Sequence, residues 1–354
     1  MTRKITLAID LMGGDHGEKI TIAGAAAAIK IYPDIFYLFY GIEDKVKDIL
    51  DSYPELKGKY KFFASETYIS MNEKPAQAIR RGRNISSMWQ AIMAVKEKKA
   101  DACVSAGNTG VLMAMSKIIL RMLANVDRPG IAGIWPTLTG QAIVLDIGAS
   151  IGATDKHLVN LAIMGACMYN SLYVGETPKV GLLNIGVEEV KGIDEIKNAG
   201  MILQNKKWNN FEYIGFIEGS DIGTGKAQVV VTEGYSGNIA LKTAEGTAKQ
   251  ISKILKNQIK SSFWNKIGYL FSYNIFRNLK MVLDPDRLNG GLLLGLNGIV
   301  VKSHGGTSAM GFCSAIVKTY KIVEHNLLLK IEQELLQVDN INIDNNINKE
   351  SEQD

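Results

Sequence analysis

Six times along the chain, a short apolar run stops at a glycine-rich polar cluster and a helical pattern takes over. The runs are Ile5–Gly17 (ITLAIDLMGGDHG), Asp101–Gly110 (DACVSAGNTG), Ile143–Ser150 (IVLDIGAS), Val180–Gly186 (VGLLNIG), Val229–Asn238 (VVVTEGYSGN) and Gly298–Gly306 (GIVVKSHGG). Apolar runs of this length, bounded by glycine and alternating with helices, predict parallel strands joined by helical crossovers. Their carboxyl ends are expected to face one crevice. Glycine lets the backbone approach a ligand there, and helix starts offer free N–H groups to an anion. Further strands are predicted at Phe36–Tyr40, Tyr60–Ser65 and Tyr213–Gly215. Helices are predicted at Ile20–Tyr32, Lys45–Tyr53, Ser86–Lys98, Val111–Ala124, Lys156–Asn170, Ala199–Asn205, Asn238–Leu255 and Cys313–Leu336.

With 354 residues and 46% apolar content, the chain is long enough to bury a large core as one α/β domain over residues 1–337. A net charge of +4 gives no ground for a nucleic-acid partner. The three cysteines, Cys103, Cys167 and Cys313, lie in apolar stretches without CxxC or metal-ligand spacing. They read as buried thiols in a reduced, cytoplasmic setting, and no metal or cofactor is expected. Asp10 ends the first apolar run before it reaches signal-peptide length. The most apolar stretch, Val111–Ala124, is broken by Ser116, Lys117 and Arg121 and predicts a buried helix rather than a membrane span.

Candidate chemistry sits at the strand ends. Gly107, Asn108 and Thr109 stand where a strand meets the Val111 helix. Their donors suit a phosphate or carbonyl oxygen, although Asn108 or Thr109 would also serve simply as a helix cap. Gly14, Asp15 and His16 follow the first strand. His16 suits anion binding or proton donation, Asp15 suits a cap, and an ordinary hydrogen-bonding loop histidine is equally open. Lys302, His304 and Gly305 offer an N–H nest flanked by charge, or a plain tight turn. Asn184, Asn238 and Lys242 repeat the strand–glycine–helix pattern more weakly. Arg80, Arg81 and Arg83 form a basic cluster before the Ser86 helix. Gly148–Gly152 and Gly219–Lys226 fail as dinucleotide turn and P-loop because the glycines are misplaced.

Two segments leave this pattern. Gly246–Leu283 has no acidic residue yet carries Lys249, Lys253, Lys256, Lys260, Lys266, Arg277 and Lys280, interleaved with aromatics. This composition suits a lipid surface, with Phe263, Trp264, Leu270 and Phe271 at headgroup level, or a helical dimer interface. Val338–Asp354 is rich in Asn and acids, lacks periodicity and is expected to be disordered.

Eight ordered motifs resemble the bacterial phosphate acyltransferase family of phospholipid synthesis. They are Ala8–His16, Glu73–Arg80, Val104–Ala114, Arg128–Ala132, Leu145–Ala149, Gly181–Gly192, Gly237–Gly246 and Gly290–Gly305. Ser150, Ser220, Glu233 and Ser308 depart from the family's usual Asn, Arg, Asp and Asp, and Gly17-Glu18 replaces its Ala-Pro, so these positions are given no fixed role. The resemblance implies a three-layer α/β/α, mostly parallel fold like phosphotransacetylase and isocitrate dehydrogenase. It also implies a homodimer and a protruding helical hairpin near residues 252–283 that touches the membrane. The implied reaction moves a long-chain acyl group from acyl carrier protein to inorganic phosphate, and a membrane acyltransferase uses the product. On this reading His16, Asn108 and His304 are catalytic. Gly14, Asp15, Gly107, Thr109, Asn184, Asn238, Lys242, Lys302 and Gly305 bind phosphate and thioester, and the three arginines dock the acidic carrier. A coenzyme A-dependent phosphotransacetylase, a nicotinamide dehydrogenase of related fold and a non-catalytic lipid-surface scaffold are the alternatives.

Overall fold

The structure is a computed structural model and describes residues 4–282 and 284–336. Its first half runs β1 (Thr6–Asp10), α1 (Glu18–Ile31), β2 (Phe36–Gly41), α2 (Glu43–Asp51), β3 (Tyr60–Ala64) and α3 (Pro75–Gly82). It continues through α4 (Ser87–Lys96), β4 (Ala102–Ser105) and α5 (Thr109–Leu120). Next come β5 (Gly130–Thr137), β6 (Gly140–Leu145), α6 (Asp155–Leu172), β7 (Lys179–Leu183), α7 (Asp194–Gln204), β8 (Glu212–Ile217) and β9 (Val229–Val231). The last part comprises α8 (Gly234–Lys260), α9 (Phe263–Phe271), α10 (Tyr273–Val282), α11 (Pro285–Leu288), β10 (Gly291–Leu294), β11 (Ile299–Lys302) and α12 (Ala309–Glu324).

The described residues form one 11-stranded sheet in the order β3-β2-β1-β4-β11-β10-β5-β6-β9-β7-β8. Two parallel blocks, β3-β2-β1-β4-β11 and β6-β9-β7-β8, are separated by antiparallel pairings at β10 and β5. The inner strands are apolar almost throughout, as expected where both faces are covered. One face buries α1, α6, α7 and α12, with Leu7, Ile9, Phe39, Leu161 and Phe312 fully enclosed. The other carries α3, α4 and α5 over Met88, Ile92, Leu112 and Val300. All three cysteines are buried, as their apolar surroundings predicted.

The predicted strands are present and mostly parallel. Two strands escaped the hydrophobic pattern. β5 carries Gly130, Gly133 and Pro136, residues that weaken strand propensity, and β10 is a four-residue apolar run between glycines. The long helix predicted from Cys313 to Leu336 starts earlier, at the Ser308 cap, and breaks at Asn326. Asn326 has φ +52°, a left-handed conformation that asparagine tolerates, and residues 327–336 resume as helix. Likewise the cluster Gly234–Asn238 is the first turn of α8, not a loop before it. The expected disordered tail, 338–354, lies outside the described residues.

β5 decides where the two blocks meet. Its first part pairs with β10 through Ala132 and Leu292, and its second part with β6 through Gly133 and Val144. On β10, Gly291 pairs with Lys302 at the end of β11. The carboxyl ends of β11 and β6 therefore both reach the middle of β5. They lie three strand spacings apart, roughly 14 Å along the sheet. The blocks run in opposite directions yet deliver their carboxyl ends to one place.

Candidate active site at the facing strand ends

Three turns after β1, β4 and β11 touch. Ser105 and Lys302 are register partners, and Asn108 and His304 follow them on adjacent strands. Asp15 donates its N–H to the Gly305 carbonyl at 2.9 Å, and Ser303 donates to Ser105 O at 2.9 Å. A Cβ on Gly13 would lie 2.5 Å from the Gly107 nitrogen. One on Gly14, whose φ is +94°, would lie 2.9 Å from Gly305 O. Glycine is required at both positions for the turns to approach this closely.

Beneath the turns lies Asp10, fully buried at the end of β1. Its carboxylate accepts from Ser87 Oγ and Ser105 Oγ at 2.7 Å each and from Met12 N at 3.3 Å. Burial pushes the Asp10 carboxyl up, while the two hydroxyls, the Met12 N–H and the charge of Lys302 oppose that rise. Ser105 Oγ in turn accepts the Gly107 N–H at 3.0 Å. The hydrophobic pattern did not mark Asp10 as part of a site. A carboxylate closing an otherwise apolar strand, with serines beginning a helix and ending a neighbouring strand, is the signal that was available.

The turns carry donors. Thr109 and Gly110 open α5, so their N–H groups have no intrahelical acceptor, and both residues are exposed. Lys302 reaches over the same ends, donating to Ala106 O at 3.3 Å and to Ser303 O. Its burial holds the ammonium down to about 8, against the pull of Asp15 and Asp10. His304 is exposed and its Nδ1 accepts the Gly306 N–H at 3.2 Å, which leaves Nε2 to carry the proton of the neutral ring. His16 is exposed and follows Asp15, whose N–H binds the Gly305 carbonyl.

Asn108 takes the capping place that the sequence left open beside a catalytic one. Its Oδ1 caps α5 by accepting from Val111 N at 3.1 Å. Its Nδ2 donates to Met71 O at 2.7 Å and Glu73 O at 3.2 Å. The carboxamide thus clamps the 71–73 loop against the start of α5. Arg81 braces that loop from outside, bonding Glu73 through Nε at 2.9 Å and Nη2 at 2.7 Å and donating to Tyr68 O at 2.8 Å. These bonds hold the Glu73 carboxyl below its usual range. Arg80 and Arg83 are exposed, and the Arg83 guanidinium lies 5.9 Å from the Trp89 ring centre.

The second block supplies the opposite wall. Asp146, fully buried, fills its own nest of N–H groups from Gly148, Ala149 and Ser150 at 2.8–2.9 Å and also accepts from Ile131 N at 3.0 Å. Asn238 Nδ2 donates to Ile147 O at 3.0 Å, tying α8 to this turn. Glu233 caps α8. Burial raises its carboxyl, yet bonds from Ser236, Tyr235 and Gly152 outweigh that and keep it below the usual range. Asn184 is buried and turned back on its own loop, donating to Lys191 O at 3.0 Å. Lys242 lies two turns along α8, exposed and paired with Glu245 at 3.0 Å. Ile147 and Ala149 pack against the apolar cluster that contains Val111 and Leu112 of α5, so the two walls adjoin. Among the described residues no group of three or more His, Cys, Asp or Glu converges as a metal site.

Away from this site, α9 buries nothing. Phe263, Trp264, Leu270 and Phe271 are 71%, 76%, 73% and 86% exposed. Among the described residues no helix is long and apolar enough to cross a membrane.

Together these elements define a mixed α/β fold in which the carboxyl-end turns of two oppositely running sheet blocks face each other. A phosphotransacetylase from Streptococcus pyogenes superposes with a TM-score of 0.61 at 16% identity, covering 90% of this chain and 94% of that one. The EutD phosphotransacetylase from Staphylococcus aureus gives 0.57 at 14%, covering 92% and 95%. At such identities the likeness concerns the fold alone. Sequence takes the assignment further: the family model described as "Fatty acid synthesis protein" matches residues 5–330, and the chain belongs to that family. A relative from Bartonella bacilliformis called "Phosphate acyltransferase" is 58% identical over 331 residues, 94% of this chain and 93% of its own. One of the same name from Brucella canis is 56% identical, covering 94% and 96%.

Lys302 gives a pH prediction. At low pH the residue is charged whether the chain is folded or not, and the folded state bears the full burial penalty. Between about 8 and 10.5 the unfolded chain holds a proton that the folded chain has lost, so stability from this group rises with pH. Urea unfolding of wild type and Lys302→Met at pH of about 7.5 and about 9 isolates it. Wild type gains on the variant as pH rises; an unchanged difference contradicts the assignment.

Proposed function

We propose that this protein transfers a long-chain fatty acyl group from acyl carrier protein to inorganic phosphate, giving an acyl phosphate for phospholipid synthesis. One observation carries the reading beyond family membership: the first-turn N–H groups of Thr109 and Gly110 stand beside Lys302 and the His304 turn at adjacent strand ends. Those groups are cationic or N–H donors, the set that suits a phosphate next to a developing oxyanion.

Hydrogen phosphate is already nucleophilic at neutral pH and a thioester is already activated, so the protein needs no covalent nucleophile. A phosphate oxygen attacks the thioester carbon, forming the C–O bond and a tetrahedral oxyanion. The C–S bond then breaks and the pantetheine sulfur leaves as thiolate, taking a proton from His304 or His16. In this scheme Lys302, Gly14, Gly107, Thr109 and Gly305 surround the phosphate, with Asp15 and Asn108 holding the turns in place. Preformed donors of this kind contribute roughly 3 kcal/mol each to the transition state. Asn184 and Asn238 shape the far wall, and Lys242, turned to Glu245, takes no part.

Arg80 and Arg83 remain free to meet the acidic carrier, whereas Arg81 serves the loop that Asn108 clamps. The exposed aromatic and basic hairpin of α8–α10 suits peripheral contact with an anionic lipid surface on the cytoplasmic side. There the product passes to a membrane acyltransferase. A homodimer doubles that contact and strengthens it by avidity. A short-chain phosphotransacetylase acting on a soluble coenzyme A thioester would leave the exposed aromatic hairpin unexplained.

Incubating palmitoyl-carrier protein with phosphate tests the reaction, with palmitoyl-coenzyme A as control. Wild type forms acyl phosphate, and Lys302→Ala and His304→Ala each lose on the order of a hundredfold in kcat/KM. Absence of product with wild type ends the reading, and full activity in both variants ends the site assignment. Liposome sedimentation tests the surface contact. Replacing Phe263, Trp264, Leu270 and Phe271 by serine releases the protein from anionic vesicles without loss of turnover on soluble substrate; retained binding contradicts it.

A further inference from the structure

The turn that carries His304 is set by a side chain outside it. Asn289, buried between α11 and β10, makes five hydrogen bonds with its carboxamide. Its Nδ2 shares two N–H groups among three acceptors, Ser303 Oγ at 2.7 Å, Thr307 Oγ1 at 2.9 Å and Gly311 O at 2.9 Å. Its Oδ1 accepts from His304 N at 2.8 Å and from Gly290 N at 2.9 Å. Asp286, one turn earlier, completes the frame by accepting from Thr307 Oγ1 at 3.1 Å, Ser308 N at 3.3 Å and Ser308 Oγ at 2.5 Å. Lys318 of α12 fixes Asn289 from behind, donating to its carbonyl at 2.6 Å and to Arg287 O at 2.9 Å.

The turn is therefore gripped at both ends and in the middle. Ser303 is tied to β4 and to Asn289, the His304 backbone to Asn289, and Thr307 to Asn289 and Asp286. A carboxamide offers two N–H donors and one oxygen, and all of this capacity points at the turn and its flanks. A fold that only needed to join α11 to β10 would not require such convergence. Donors that must meet a charged substrate without reorganising do require it.

We propose that Asn289 is a positioning residue for the transfer reaction, setting the His304–Thr307 turn so that its donors meet phosphate. The inference rests on the proposed phosphate role of that turn. Asn289 does not touch substrate; it acts through His304 and its neighbours. Its loss should therefore appear in phosphate handling and not in carrier recognition, and it should matter little once His304 is gone.

The test measures phosphate binding by calorimetry, steady-state kinetics with both substrates varied, and a double-mutant cycle of Asn289→Ala with His304→Ala. Asn289→Ala is expected to weaken phosphate affinity and raise the phosphate KM on the order of a hundredfold while the carrier KM stays within about twofold. In the His304→Ala background the same change is expected to cost less than about threefold. A purely structural role would lower kcat, leave no selective change in the phosphate KM and add fully in the cycle, and that result overturns the proposal. If Asn289→Ala does not fold, Thr307→Val removes the hydroxyl shared by Asn289 and Asp286 and is judged by the same criteria. A wild type that binds phosphate but forms no acyl phosphate removes the functional reading, and the inference then stands or falls on binding alone. A wild type that transfers acyl groups while the variant keeps wild-type phosphate affinity overturns the inference and leaves the reading intact.

Discussion

A buried carboxylate holds the first wall of the cleft together. Asp10 ends an otherwise apolar strand, and burying it unpaired would cost several kcal/mol. The hydroxyls of Ser87 and Ser105 and the N–H of Met12 satisfy it, and each belongs to a different turn or helix start. Satisfying that single charge therefore brings the ends of β1 and β4 and the start of α4 to one point. Ser105 passes the constraint to the Gly107 N–H, and Gly13 and Gly14 allow the backbones to close over it. Lys302 then adds a cation above the carboxylate, in surroundings that already disfavour its charge. Under the proposed function, phosphate beside that ammonium adds counter-charge to that of Asp15 and Asp10.

The sheet explains why a second wall faces the first. In a uniformly parallel sheet, all loops at the carboxyl ends share one edge. Here β10 and β5 reverse direction, and β5 serves one block with each part of its length. The reversal turns two oppositely running blocks into two walls that meet at Ala132 and Gly133. The carboxylate of Asp146 occupies the N–H groups of Gly148, Ala149 and Ser150 in the turn after β6. Under the proposed function the anion therefore belongs at the first wall, and the second shapes the acyl and pantetheine side.

Much of the arrangement was legible in the chain. Strand runs ending in glycine clusters located the turns after β1, β4 and β11, because burial on both faces forces continuous apolar sequence and close approach forces glycine. Two things stayed hidden. Direction was one: β5 is interrupted by Gly133 and Pro136 and β10 is only four residues long, so nothing in their periodicity announces a reversal. Partnership was the other. Asn108, Arg81 and Asn289 are each recognisable as polar residues near a turn, yet only coordinates show that Asn108 and Arg81 spend their donors on the 71–73 loop. Asn289 drew no attention in the sequence, yet the contacts of its carboxamide make it the frame of the next turn. Long-range hydrogen bonding has no local sequence period, and that is why it was missed.

The central claim is that one phosphate lies against the first wall, held by the opening of α5, Lys302 and the His304 turn. A crystal structure of the protein grown with inorganic phosphate tests it most directly. The account predicts a bound anion within hydrogen-bond distance of the Thr109 or Gly110 N–H and of Lys302 Nζ, with His304 beside it. Phosphate bound instead at the Asp146 turn or at the start of α8, with the first wall empty, would contradict it.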